Sequence, residues 1–571
     1  MEQLSPTDAA FIYMDSHNQP MHISGLNIYD PSTVPADRLN ENGVLSHKEI
    51  LRTFEKTLPK IPAMRKRLIR VPADLDHPYW ADDPDFSLEF HVRHIALPRP
   101  GDWRQLCIQV ARLHARPLDM SRPLWEHYII EGLDNIPGIP QGCFAIFTKI
   151  HHALIDGASG TDFIGSTHTL GPADPPYEVE DNWEPQPLPS TAEILLKSYF
   201  NTFANPVKAI DSITKVTKTL TRYSQTIASG NYAPPPKKAV TRFSSMLTPH
   251  RVFDARSFPL SVIKQLRAGV EGATVNDVLV SIVGGGVRKY LRAKDELIDD
   301  RLTAIIPVNT RTAAEQSTNG NIVATMSSEI GCHLEDPLER LGFVHEAISG
   351  QKEITQAIGA REMIESIGTA PAALMSLGMR AAVAAGAPDM NPLVSGNMTI
   401  TNVPGPQIPL HFCGARMVAM YGGGCIMSGA GLFVILLSYN GMISMSVTCD
   451  RQMMPDPDAF TGFLQDSYEE LVRATLGDDF VIGHTGLTVT TRPVVAAAKK
   501  SLEEKPKKKA PPAKKATARQ SAGKKKADMK APVKKAVAKK PAVKKTVAKK
   551  SATRKAVAGK PAKSRPISAG A

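Results

Sequence analysis

Cys143-Phe144-Ala145-Ile146-Phe147-Thr148-Lys149-Ile150 is an apolar run of strand length that ends directly in His151-His152, and the chain continues Ala153-Leu154-Ile155-Asp156-Gly157-Ala158-Ser159-Gly160. A compact apolar run bounded by turn signals fits a buried strand. Asp156-Gly157 opens what reads as the next helix, with a small residue where an unusual turn needs room. Strand, turn and helix together would hold the two histidines on a loop between rigid elements, a common mounting for catalytic groups.

Three readings of the histidines compete. A metal site needs a third ligand; His152 and Asp156 are four apart, none is indicated nearby, and adjacent side chains on extended backbone diverge. A packed structural pair would suffice for isolated histidines but leaves the following Asp-Gly unexplained. A general base accounts for the whole pattern, because an imidazole titrates near neutral pH and can remove a hydroxyl proton.

Outward from this segment, residues 1–171 mix strand and helix patterns: 21–29 alternates like a half-buried strand and 103–115 has helical apolar spacing. Pro172, Pro175, Pro176, Pro185, Pro187 and Pro189 then exclude regular structure, so 172–239 begins as a linker. Within it Leu196, Phe200, Phe203, Ile210, Ile213, Val216 and Leu220 recur at helical spacing on either side of Pro206, with Lys208, Lys215 and Arg222 on one polar face. A crossover helix packed on the domains is the expectation, with a membrane-surface helix as the alternative. Residues 240–490 form a second mixed domain, with helices expected at 261–270, 277–292 and 337–348, a strand at 302–307, and a hairpin pairing 432–438 with 442–448 through Asn440-Gly441.

Nothing between Arg416 and Asp450 is charged, yet Gly422-Gly423-Gly424 interrupts the stretch and the hairpin signal accounts for its end, so no membrane span is expected. The six cysteines are scattered without CxxC spacing, which fits a reducing cytoplasm, and the N-terminus lacks the features of a secretory signal.

The net charge of +12 is unevenly placed. From Lys499 onward lie 26 of the 68 basic residues and 3 of the 56 acidic ones, which leaves the preceding body at −11. Residues 496–571 are rich in Lys, Ala and Pro and contain no aromatic residue. Such a composition cannot bury enough apolar surface to offset its ordering entropy, so a disordered cationic tail is expected.

His151-His152-Ala153-Leu154-Ile155-Asp156-Gly157 resembles the HHxxxDG signature of the CoA-dependent acyltransferase superfamily. Leu4-Ser5-Pro6-Thr7-Asp8-Ala9, Pro123-Leu124-Trp125-Glu126, Asn276-Asp277 and Asn402-Val403-Pro404-Gly405-Pro406 resemble, in this order, segments of the bacterial wax ester synthase/diacylglycerol acyltransferase family. The resemblance spans residues 4 to about 480. It implies an α/β (α+β) fold of two chloramphenicol-acetyltransferase-like domains joined by a crossover connector, with one active centre in a channel between them. It further implies His152 as the base beside His151. Asp156 would be chiefly structural, paired with an arginine for which Arg311 is the candidate. Asn276 would stand near the reacting carbonyl, or else be a helix N-cap.

The implied reaction esterifies diacylglycerol to triacylglycerol, or long-chain alcohols to wax esters, from acyl-CoA as substrate, with no cofactor and no metal. A carrier-protein-dependent condensation reaction shares the motif and stays open. The tail suggests an anionic membrane or lipid-droplet surface as partner, giving a cytoplasmic, peripheral enzyme on the inner face of the plasma membrane or on droplets, with DNA as the rival partner.

Overall fold

The computed structural model describes residues 1–41, 43–154, 164–175, 179–202, 238–309, 323–358, 372–385 and 395–480, with isolated positions 221 and 225. The motif residues Asp156 and Gly157, the candidate partner Arg311, most of the connector beyond residue 202 and the basic tail all lie outside the described residues.

Two six-stranded sheets form the frame. The first runs, edge to edge, through His411–Phe412, Ala415–Gly423, His22–Asp30, Phe144–His151, Trp125–Glu131 and Val92–Ala96. The second runs through Val323–Glu329, Thr303–Asn309, Met398–Pro404, Leu432–Tyr439, Met442–Asp450 and Arg251–Pro259. A small third sheet joins Glu2–Gln3, Tyr79–Asp82 and Lys66–Ile69.

Phe144–His151 is a strand for the reason its sequence suggests: both of its faces are covered. Ala145 and Phe147 pack with Trp103, Leu106, Val110 and Leu113 of the Trp103–Ala115 helix. Phe144, Ile146 and Ile150 pack with Ile50 and Phe54 of the His47–Thr57 helix. Burial on both sides explains the apolar run from Phe144 to Phe147, since a strand with one wet face would alternate. The second sheet is backed by the helices Val275–Ala293, Pro337–Ile358 and Pro457–Leu476.

The hairpin forms as expected, with Leu432 opposite Cys449 and Tyr439 opposite Met442, and with Asn440 and Gly441 at φ 44° and 80°. The glycine triplet interrupts the stretch as expected, since the strand ends at Gly423 and the next begins at Leu432. Ala415–Gly423 is a strand, and a Cβ on Gly424 would stand 2.3 Å from the Phe433 ring, so glycine is there because the backbone passes under an aromatic side chain. The helix expected at 337–348 continues to Ile358.

Residues 1–492 form one compact unit. Its halves exchange a strand: Ala415–Gly423 pairs antiparallel with His22–Asp30 and so completes the first sheet from the far half of the sequence. One expectation about the connector needs correction. Thr191–Thr202 is a helix, begun by a reciprocal Ser190/Glu193 cap. Leu196 and Phe200, however, face outward, whereas Ile194 and Ser198 are buried. Ile194 packs on Val71 and Tyr79, and Asn201 Nδ2 donates to Asp76 Oδ2 at 3.0 Å, so a polar contact fixes which side of the helix docks.

Candidate active site

His22 is in register with His151 at the end of the ladder between the two central strands of the first sheet, and the His152 N–H donates to the Met21 carbonyl at 2.9 Å. Both histidines therefore begin from backbone positions fixed by the sheet. Their rings then separate. His151 is buried, and its Nδ1 accepts the Ala153 N–H at 3.1 Å, which leaves the ring proton on Nε2, 3.4 Å from Asp15 Oδ2. His152 is partly buried and lies flat on Phe11, with ring centroids 3.9 Å apart and an interplanar angle of 10°.

Burial, followed by the neighbouring His151, lowers the His152 imidazole from its ordinary 6.5 to about 4. The ring is then neutral throughout the physiological range, the form that can accept a proton.

Asp15 and Phe11 were not apparent from the sequence. Phe11 lies on the Pro6–Met14 helix, which starts at Ser5, whose Oγ accepts the Asp8 N–H at 3.1 Å and donates to Asp8 Oδ2 at 2.6 Å. Asp15 ends that helix, and its Oδ2 accepts the Met21 N–H at 2.8 Å. One carboxylate thus ties the helix end to the start of the central strand and stands beside His151. The Leu4-Ser5-Pro6-Thr7-Asp8-Ala9 segment acts at the site as the beginning of this helix.

Pro123-Leu124-Trp125-Glu126 sets the shape around the motif. The Leu124 carbonyl accepts the His151 N–H at 2.9 Å, and Trp125, 1% exposed, donates its indole N–H to the Met64 carbonyl at 2.7 Å. Glu126 Oε2 is 3.0 Å from Nζ of Lys149, a fully buried cation that also donates to the carbonyls of Arg116 and Leu113 at 2.8 and 3.4 Å. These are last-turn and post-helix carbonyls of the Trp103–Ala115 helix, where a cation satisfies otherwise open acceptors.

Asn276 is not a helix N-cap. Thr274 occupies that position, accepting the Asp277 N–H at 3.3 Å while Asp277 Oδ2 accepts the Thr274 N–H at 2.9 Å. Asn276, freed of that duty, lies one turn-position in, and its Oδ1 accepts from Asn402 Nδ2 at 3.5 Å. Two motifs separated by 126 residues are thereby brought side by side. In the second of them a Cβ on Gly405 would stand 2.2 Å from the Ser438 carbonyl oxygen, so the chain can pass that strand only as glycine.

All six cysteines are free and buried. Burial pushes the thiols of Cys143, Cys413 and Cys425 up to about 12 and that of Cys332 to about 11, and raises those of Cys107 and Cys449 as well. None is a ready thiolate.

Comparison with known sequences gives a match over residues 4–279 to the wax ester synthase/diacylglycerol acyltransferase catalytic domain and over 319–472 to the corresponding C-terminal domain. A putative diacylglycerol O-acyltransferase of Mycobacterium tuberculosis is 30% identical over 474 residues, covering 82% of this chain and 99% of the relative. A probable diacylglycerol O-acyltransferase of the same organism is 29% identical over 483 residues, covering 83% and 99%. Among solved structures, a wax ester synthase/diacylglycerol acyltransferase from Marinobacter aquaeolei aligns with TM-score 0.58 at 24% identity over 83% of this chain and 99% of that one. A trichothecene 15-O-acetyltransferase from Fusarium sporotrichioides aligns with TM-score 0.52 at 12% identity, covering 83% and 94%. The mixed α/β, chloramphenicol-acetyltransferase-like fold expected from the sequence is borne out.

Proposed function

The chain belongs to the wax ester synthase/diacylglycerol acyltransferase family, and on that premise we propose that it transfers the acyl group of acyl-CoA to the hydroxyl of diacylglycerol, with long-chain alcohols as alternative acceptors. His152 takes the hydroxyl proton as the oxygen attacks the thioester carbonyl. The carbon–oxygen bond forms, the carbon–sulfur bond breaks, and the imidazolium returns its proton to the departing CoA sulfur. The observation that carries this reading is the placing of His152 at the end of the central strand, its N–H on the Met21 carbonyl and its ring flat against Phe11. The burial of all six cysteines speaks against a cysteinyl acyl-enzyme. Neither cofactor nor metal takes part in this scheme. Asn276 is offered as an amide donor toward the developing oxyanion, held by Asn402.

The test uses purified full-length protein, labelled palmitoyl-CoA, and diacylglycerol or hexadecanol, with neutral lipids separated afterwards. Labelled triacylglycerol or wax ester should form without any carrier protein. Product that appears only when a carrier-protein thioester replaces acyl-CoA would transfer the chain to the condensation reading.

Asp15→Asn is expected to lower kcat about 10- to 100-fold, because a misdirected His151 lets the adjacent base drift from its working position. KM for acyl-CoA should change little, and the circular dichroism spectrum should remain that of the parent. Parent-like turnover would remove Asp15 from this role.

For the lipid surface, the tail is proposed as an electrostatic tether. About 1 kcal/mol per basic residue near an anionic surface makes a handful of its 26 cations sufficient. The body, at −11, gains from such a tether because the same surface repels it. Truncation near Val495 should leave turnover on dispersed substrate intact and sharply reduce binding to anionic vesicles at low salt, where exposed charges act over more than about 8 Å. Unchanged low-salt binding by the truncated protein, with loss of duplex DNA binding instead, would assign the tail to nucleic acid.

A further inference from the structure

Two helices present apolar side chains away from the core. In Thr191–Thr202, Leu195, Leu196, Tyr199 and Phe200 share the outer side, and the last three are 58–59% exposed. In Ala372–Ala385, Met375 and Ser376 are buried while Leu374 and Leu377 are 64% and 67% exposed. Both helices anchor on one short stretch of chain: Asn201 Nδ2 donates to Asp76 Oδ2 at 3.0 Å and Ser376 Oγ donates to Asp74 Oδ2 at 2.6 Å. Leu75, between those carboxylates in sequence, is itself exposed.

Cations fringe this face. Arg70 and Arg380 reach Asp74 at 3.1 and 2.8 Å with their side chains 41% and 51% exposed, and Lys197 lies exposed over the Tyr79 ring. Asp74 and Asp76 are buried beneath them and Glu193 is exposed at the Ser190 cap, so three cations, Arg70, Arg380 and Lys197, face outward beside one exposed carboxylate. An apolar centre with long basic side chains around it fits the interface of an anionic bilayer, where the stems lie along apolar surface and the charges meet headgroups. The Ala372–Ala385 helix also packs against Pro6–Met14, the helix whose Phe11 covers His152. The face is therefore a single helix away from the proposed base.

We infer that the outer faces of Thr191–Thr202 and Ala372–Ala385 dock the enzyme onto an anionic phospholipid surface, on the side from which a water-insoluble acceptor reaches His152. This rests on the acyltransferase reading for the identity of the acceptor, but the docking itself is measured without turnover.

The test compares the full-length parent with two double variants, Leu196→Glu/Phe200→Glu and Leu374→Glu/Leu377→Glu, in co-sedimentation with phosphatidylglycerol/phosphatidylcholine vesicles. At about 1 M salt the screening length is about 3 Å, so charge-driven tethering is suppressed and apolar insertion remains. Under those conditions the parent should bind and each variant should bind more than about tenfold more weakly, because several apolar side chains no longer leave water. Acyl transfer to diacylglycerol in vesicles should fall in parallel, while transfer to a water-soluble short-chain alcohol stays at the parent rate. Parent-like vesicle binding by both variants overturns the inference. So does a parent dimer that the variants convert to monomer without loss of vesicle binding, which would make the face a contact between copies. A parent inactive on both acceptors would instead sink the functional proposal, with the vesicle result still deciding the docking.

Discussion

Replacing His152 by alanine is expected to reduce ester formation roughly 100- to 10,000-fold, the range over which a positioned acid–base group contributes. The fold should survive, since His152 is only partly buried and its backbone N–H, not its ring, joins the sheet through the Met21 carbonyl. His151→Ala should retain more activity, because that ring is occupied by the Ala153 N–H and Asp15 and acts through its neighbour. The measurements are kcat with saturating acyl-CoA and a melting curve for each variant. A folded His152→Ala protein that turns over at the parent rate would end the mechanism proposed above.

Acidification is expected to unfold the protein at pH values where His152 is still neutral. His91 and His168 are lowered by burial to about 4, His114 and His127 to about 3, and His22 falls well below 6.5 for the same reason. Their partners include the carbonyls of Trp125, Ile164, Gly424 and, for His22, His114 itself. Each of these rings is neutral in the folded protein between 6.5 and its lowered value, whereas in the unfolded chain it binds a proton below about 6.5. More protons on the unfolded state means that stability falls as pH falls, by up to about 1.4 kcal/mol per pH unit for each ring. This stability is fully present above about 6.5 and is lost progressively toward 4. Five such rings remove several kcal/mol per unit, set against a typical total of about 5–15 kcal/mol. Urea midpoints at about pH 7.5, 6 and 5 should therefore drop steeply, and the acid limb of activity should follow unfolding, not protonation of the base. Equal midpoints at the three pH values would show that these histidines are not buried neutral.

Local patterns carried much of this structure in advance. The strand Phe144–His151, the helix Trp103–Ala115 and the Leu432–Tyr439/Met442–Asp450 hairpin each announce themselves by apolar spacing within a short window. Thr274-x-x-Asp277 was equally legible as a capping box, and reading it would have excluded Asn276 from the cap. Asp15 was not legible, because its value lies in meeting His151 across the fold and no local spacing records that contact. The outward turn of Leu196 and Phe200 was hidden for a related reason. Helical periodicity shows that apolar residues share a side, but the polar bond from Asn201 to Asp76 decides which side meets the body.

The strand Ala415–Gly423 also sets a clock on biosynthesis. Its partner His22–Asp30 emerges early, yet Arg416 and Asp30 are 386 residues apart, so at about 5–20 residues per second the ribosome delivers the missing neighbour roughly 20 to 80 s later. Through that interval the nascent first sheet has an open edge of unpaired N–H and C=O groups, the kind of surface that recruits any extended chain nearby. Closing so long a loop is slow, and folding of this half is tied to completion of the other. A gene split between the halves would yield an N-terminal fragment with that edge permanently open, so neither half can complete the first sheet alone.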